Sequence, residues 1–128
     1  MPLVRLALVR GKSAEYLASI SDAIHDALVS DFKMPDEDRF QILTQHEHHE
    51  MSFNRTFRGG PRSDNFMILS ILGGPDPGLG VKQAFLKQLV KNLQAAAGVD
   101  PEDVFVTLQY GSAEDFSFGG GRSLLPDV

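Results

Sequence analysis

Displaced by 65 residues, this chain lies on itself without a gap, and no other feature limits its fold as much. Leu3, Val4 and Leu6 fall on Ile68, Leu69 and Ile71. The helical series Leu17, Ile20, Ile24, Leu28 falls on Lys82, Phe85, Leu89, Leu93. Glu37-Asp38-Arg39-Phe40 with Leu43 falls on Glu102-Asp103-Val104-Phe105 with Leu108. Each half therefore reads strand, helix, strand. Residues 2–9 and 65–72 are short apolar runs between polar or Gly/Pro residues, as strands are. A helix over 13–31 has Ser13 in capping position, and its mate over 81–97 stops at Gly98. Pro35 and Pro101 each sit in an acidic turn, and strands follow over 39–46 and 103–109. A strand–helix–strand unit with short connections pairs its strands in parallel through a right-handed crossover. The expected architecture is an α/β (α+β) fold over 1–128, with repeat halves 2–64 and 65–128. Two β-α-β repeats form a four-stranded sheet with two helices on one face.

Strands 2–9 and 65–72 are apolar at both odd and even positions, so both sheet faces call for burial. Two helices cover one face, and other copies of the chain are the simplest cover for the second. The remaining segments, 47–64 and 111–128, are rich in Gly, Arg and Phe and suit hairpins or edge-pairing arms. Twelve Lys+Arg against 17 Asp+Glu give a net charge of −5. That balance argues against a nucleic-acid partner, which needs clustered excess cations. The chain has no Cys, which removes disulfides, thiolate nucleophiles and Cys-ligated zinc. No run approaches the ~20 apolar residues of a membrane span, and the first residues lack a secretory pattern, so a cytoplasmic location is expected.

Pro2 stands directly behind the initiator Met at the head of a strand. Once Met1 is removed it presents a secondary amine at a fixed position, and burial favours the neutral base. Such a group can take a proton α to a carbonyl and return it elsewhere. The plainer alternative is a proline that opens an edge strand, and a retained Met1 would make its nitrogen an amide.

Taken in order, several pieces resemble the tautomerase superfamily of amino-terminal-proline enzymes, most closely its malonate semialdehyde decarboxylase branch. They are Pro2-Leu3, Pro35 with Asp38-Arg39-Phe40-Gln41, Gln45-His46, Glu50-Met51, Arg62-Ser63 and the tail from Asp115 to Arg122. The resemblance spans all but the last six residues. It implies a tautomerase-like doubled strand–helix–strand fold, a homotrimer, proton transfer at the Pro2 nitrogen, and Asp38 hydrogen-bonding nearby to tune the site. It also places Phe116 and Phe118 in or beside the pocket. One departure matters. The branch holds its substrate carboxylate with two arginines after the third strand, where this chain reads Gly73-Gly74-Pro75-Asp76-Pro77-Gly78-Leu79-Gly80.

Other cations are available. Arg55, Arg58 and Arg62 fall close together, and a guanidinium fork suits a carboxylate. Arg39 either pairs with Asp38 or reaches substrate, and Arg122, behind three glycines, meets either a neighbouring subunit or an anion at the mouth. His46-Glu47-His48-His49-Glu50 offers donors suited to zinc or nickel. It leaves a strand for a loop, however, where side chains diverge, and a solvated loop is the expected reading. His25 falls among the polar positions of the first helix and is expected at the surface. No metal and no cofactor is expected.

The sequence thus points to a tautomerase-like enzyme in which Pro2 acts as base and then acid on a small 2-oxo or enol carboxylic acid. Asp38 tunes the site, Arg39, Arg55, Arg58 or Arg62 anchors the carboxylate, and Phe116 forms a wall. The alternatives are decarboxylation or hydration of a three-carbon acid, a non-catalytic trimeric small-molecule binder, and a metal module centred on His46, His48 and His49.

Overall fold

The computed structural model describes residues 2–128. Strand β1 (Leu3–Val9), helix α1 (Ala14–Asp31) and strand β2 (Gln41–His46) are followed by β3 (Met67–Gly73), α2 (Leu79–Ala97) and β4 (Val104–Tyr110). Local chemistry sets the helix ends. The Ser13 hydroxyl accepts the Tyr16 N–H at 3.1 Å and opens α1. Gly98 closes α2 in the left-handed region (φ 65°), its N–H reaching the Gln94 carbonyl at 2.9 Å. Asp76 accepts the Gly78 N–H at 2.8 Å and Lys82 Nζ at 2.9 Å, so the acidic residue of the glycine-rich loop helps to start α2.

The sheet order is β2-β1-β3-β4. The repeat persists in the register: the parallel pairs Val4–Gln41 and Ala7–Thr44, advanced by 65, are the parallel pairs Leu69–Val106 and Leu72–Gln109. Strands β1 and β3 meet antiparallel with Arg5 opposite Ser70, its own mate, so the two-fold relation passes through that pair. Alternation then divides the faces. Val4, Leu6, Leu8, Leu69 and Ile71 join Ile24, Phe85 and Leu89 of the helices in one core. Phe32 at the end of α1 stacks on Phe85 at 4.5 Å, and Asn92 of α2 reaches the Ala23 carbonyl of α1 at 3.3 Å.

Two expectations are corrected. His25 is only 4% exposed: its Nε2 lies 2.7 Å from the Asp36 carbonyl oxygen, which ties α1 to the turn ahead of β2. Its polar neighbours in sequence gave no hint that this turn folds back over the helix. Of the hairpins or edge-pairing arms expected over 47–64 and 111–128, the hairpins do not form among the described residues. Each segment holds one short 3-10 turn, His48–Glu50 and Ala113–Asp115, and then runs irregularly. Both carry Phe rings to the sheet's outer face, where Phe53 stacks on Phe66 at 4.4 Å and Phe118 meets Phe40 at 5.4 Å. That face stays partly open. Leu3, Ala7, Ile68 and Leu72 are half-buried, and Ile42 and Phe105 are exposed. At its centre the Arg5 side chain has no hydrogen-bond or ion-pair partner among the described residues. No described helix is long and apolar enough to cross a membrane.

Candidate active site

Pro2 is buried at the head of β1 and borders two cavities. The larger, about 410 Å³, lies towards the outer face between Leu3, Phe40, Leu72 and the tail from Asp115 to Phe118. The smaller, about 130 Å³, is closed by Phe32, Met34, Tyr110 and the loop Gly73-Gly74-Pro75 with Pro77. The tail is held by local hydrogen bonding: Asp115 accepts the Ser112 N–H at 2.9 Å, and Phe116 then stands 6.5 Å from Phe118. The structure therefore brings Pro2 and Phe116 to one cavity.

Asp38 lies in the turn leading into β2, with its N–H on the Pro35 carbonyl at 3.1 Å and its Oδ1 shut off from solvent. Because Val4 donates to the Phe40 carbonyl at 3.0 Å, this turn and Pro2 share one end of the sheet. Asp103 occupies the matching place in the second half and is engaged differently. It is 3% exposed and accepts both the N–H (2.7 Å) and the hydroxyl (2.6 Å) of Ser63.

Tyr110 escaped the sequence reading. Its hydroxyl is buried without a hydrogen-bond partner among the described residues, in the cavity that Pro2 also lines. Burial pushes its phenol above the ordinary value of 10.0, with Asp76 adding to the rise and Lys82 opposing it. Lys82 Nζ lies 5.0 Å from the ring centroid. The ring rests beside Gly73, where a Cβ would stand 3.4 Å from it. The signal was available: Val104, Val106, Leu108 and Tyr110 share the core-facing parity of β4, and a phenol ending such a series brings a polar group to the sheet's end.

The arginines lie elsewhere. Arg39 points along α1 to Asp22 (2.6 Å) and Ser21 (2.7 Å) rather than to Asp38. Arg55 donates to Asp64 at 2.8 Å, and that hydrogen bond leads the causes holding the Asp64 carboxyl below its ordinary range. Arg58 and Arg62 line a third cavity, about 560 Å³, against β4. Within one chain no arginine borders either Pro2 cavity. His46 Nε2 lies 3.0 Å from the Thr44 hydroxyl, and Glu47 pairs with Arg10. No group of three His, Asp or Glu side chains among the described residues is placed to hold a metal ion.

Comparison with known proteins supplies the family. Two family models described as tautomerase enzyme match, one over residues 38–119 and one over residues 2–56. The probable tautomerase YrdN of Bacillus subtilis (strain 168) is 31% identical over 96% of this chain and 95% of its own. The probable tautomerase YusQ of the same strain is 28% identical over 96% and 97%. Among solved structures, malonate semialdehyde decarboxylase aligns with a TM-score of 0.89 at 35% identity, covering 94% of this chain and 92% of its own. A second malonate semialdehyde decarboxylase, inhibited by 3-bromopropiolate, gives 0.87 at 33%, covering 94% and 91%. A fused 4-OT symmetric trimer gives 0.76 at 19%, covering 94% of each chain, a likeness of fold. With its doubled β-α-β sheet and these relatives along nearly its whole length, the chain belongs to the tautomerase family of enzymes.

Proposed function

We propose that this enzyme interconverts the enol and keto forms of a small 2-oxo carboxylic acid, with the Pro2 amine, freed of Met1, as base and then acid. The observation that carries the reading is the burial of Pro2 at the meeting of two cavities, one walled by Phe40, Phe116 and Phe118. In the enol-to-keto direction a proton leaves the C2 hydroxyl and one arrives at C3. Pro2 takes the first and, as the ammonium, delivers the second. Apolar walls disfavour a charged resting amine, while a carboxylate nearby favours the ammonium once it forms, which is the role given to Asp38. Phe116 and Phe118 make a flat wall suited to an aryl-bearing substrate. Loss of ketonisation of phenylenolpyruvate on changing Pro2 to Ala is the test, argued below.

Tyr110 is given the oxygen at C2. Its phenol is protonated at neutral pH and so serves as a donor to the developing charge there. Tyr110→Phe removes that hydrogen bond and keeps the ring, so kcat falls by roughly tenfold or more while KM changes little. Steady-state kinetics of the two proteins decides it; unchanged kcat removes Tyr110 from the chemistry.

The half-open outer face and the central Arg5 support a homotrimer, the assembly of the fused 4-OT neighbours. Light scattering at micromolar concentration is expected to give three times the 14.0 kDa chain mass, and a monomeric mass contradicts the trimer.

A second reading, decarboxylation or hydration of a three-carbon acid, is supported by the 35% identity to malonate semialdehyde decarboxylase. Against it stands the loop after β3, where Asp76 is bound to Lys82 and no arginine is present to hold a carboxylate. Turnover of malonate semialdehyde exceeding that of the enol would favour this second reading.

A further inference from the structure

We infer that the cavity holding Arg58 and Arg62 is a second, non-catalytic site, and that it binds an aromatic carboxylate. The cavity is the repeat mate of the Pro2 pocket. Advancing Leu3, Phe40, Ser117 and Phe118 through the 65-residue relation, forward or back, gives Ile68, Phe105, Ser52 and Phe53, and these four line it. The fold has therefore built the same aromatic wall twice, once at each end of the central strand pair.

What differs is the chemistry placed against the wall. The mate of Pro2 is Met67, an internal residue with no free amine, fully buried in the core. The mate of Asp38 is Asp103, whose carboxylate is occupied by Ser63. Proton transfer of the kind proposed for Pro2 has no base here. In its place stand two guanidiniums and, among the lining residues, no carboxylate. Arg62 donates one bond to the Asn54 carbonyl at 3.1 Å and lies 5.9 Å over the Phe66 ring, which holds its plane while leaving other N–H groups to donate. Arg58 has no hydrogen-bond or ion-pair partner among the described residues. Its backbone is left-handed (φ 55°), a conformation unusual for so large a side chain. The nearby Glu102 carboxylate accepts the Gly60 N–H, so it is already engaged beside these arginines.

A cavity of about 560 Å³ takes a single-ring acid. The ring lies among Phe53, Phe66 and Phe105, and the acid group meets the free guanidinium donors, the pairing that their fork geometry suits.

The test is titration of the full-length protein with phenylacetate, followed by amide chemical shifts. Phenylacetate has no 2-oxo group to turn over, and phenylacetamide is the neutral control. Saturable shifts are expected at Phe53, Arg58, Arg62 and Phe105, and they persist in Pro2→Ala, which separates this site from the proposed catalytic one. Arg58→Asn, whose new side chain tolerates the left-handed backbone, weakens binding roughly tenfold or more, and phenylacetamide binds weaker by a similar factor. Shifts confined to the surroundings of Pro2 and Phe116 overturn the inference. So does equal affinity for acid and amide, unchanged affinity in Arg58→Asn, or a cavity closed to the probe by a neighbouring copy.

Discussion

Phenylenolpyruvate ketonisation falls about 100-fold or more when Pro2 is replaced by Ala, the scale on which a positioned acid–base group contributes. The expected loss sits at the lower end of the usual range because the Pro2→Ala variant, once freed of Met1, still presents an amine at the same end of β1. What disappears is the fixed secondary nitrogen and the ring that fills the junction of the two cavities. Thermal stability changes little, since Pro2 has no backbone N–H in the native ladder and the core strands begin at Leu3. Intact mass accompanies the assay, because a retained Met1 would convert the nitrogen into an amide and abolish the rate in both proteins. Equal rates in Met-free wild type and Pro2→Ala would instead leave Pro2 as a strand opener, and no turnover in either would turn the test to hydration and decarboxylation before a non-catalytic binder is accepted.

The sheet and its helices were legible because periodicity and turn chemistry agreed twice at one offset. Leu17 to Leu28 and Phe85 to Leu93 both kept helical spacing, and Ser13, Pro35, Gly98 and Pro101 all marked ends that the structure retains. The site was legible only in part. Pro2 and Phe116 were placed by position and resemblance, and the fold does bring them to one cavity. Type and clustering point to Arg55, Arg58 and Arg62, and the resemblance points to Arg39, and none of these carries direction. Arg39 has the parity of the helix-facing side of β2 and so turns to Asp22 on α1, away from the aromatic cavity. Arg58 and Arg62 belong to the first half's own arm, which folds over the second half's strand β4. Pairing each arm with its mate through the repeat would have separated the two cavities from sequence alone. The burial of His25 depends on the Asp36 turn folding back over α1, which no local pattern reports, whereas Tyr110 does carry a local signal in its core-facing parity on β4.

The mates Asp38 and Asp103 should respond to substitution in opposite ways, and this contrast tests the division of labour between the halves. Asp103→Ala removes the acceptor of two Ser63 donors in a part-buried setting, at 2.7 and 2.6 Å. Hydrogen bonds to a charged acceptor are each worth about 1.5 kcal/mol, so losing both from the buried Asp103 carboxylate destabilises by about 3 kcal/mol. For a chain of this size that lowers the midpoint of thermal unfolding by roughly 10 °C. The same loss loosens the arm before β3, since Ser63 joins Gly60, which donates to Glu102, in tying it to the start of β4. Tyr16 offers a local reporter: burial first, and then the Asp103 charge, push its phenol above 10.0, so the variant's Tyr16 titrates lower. Ketonisation by the surviving folded protein stays near the wild-type rate, because Asp103 lies against the arm of the second cavity rather than at Pro2. Asp38→Asn reverses the pattern. It keeps the shape and hydrogen-bonding capacity of the turn and removes the charge that favours the Pro2 ammonium, so activity drops roughly tenfold with little change in unfolding temperature. Calorimetry and steady-state rates on both variants separate the outcomes. A stability loss at Asp38 with no kinetic effect would make it a turn residue like its mate, and Pro2 would then work without a carboxylate of its own half.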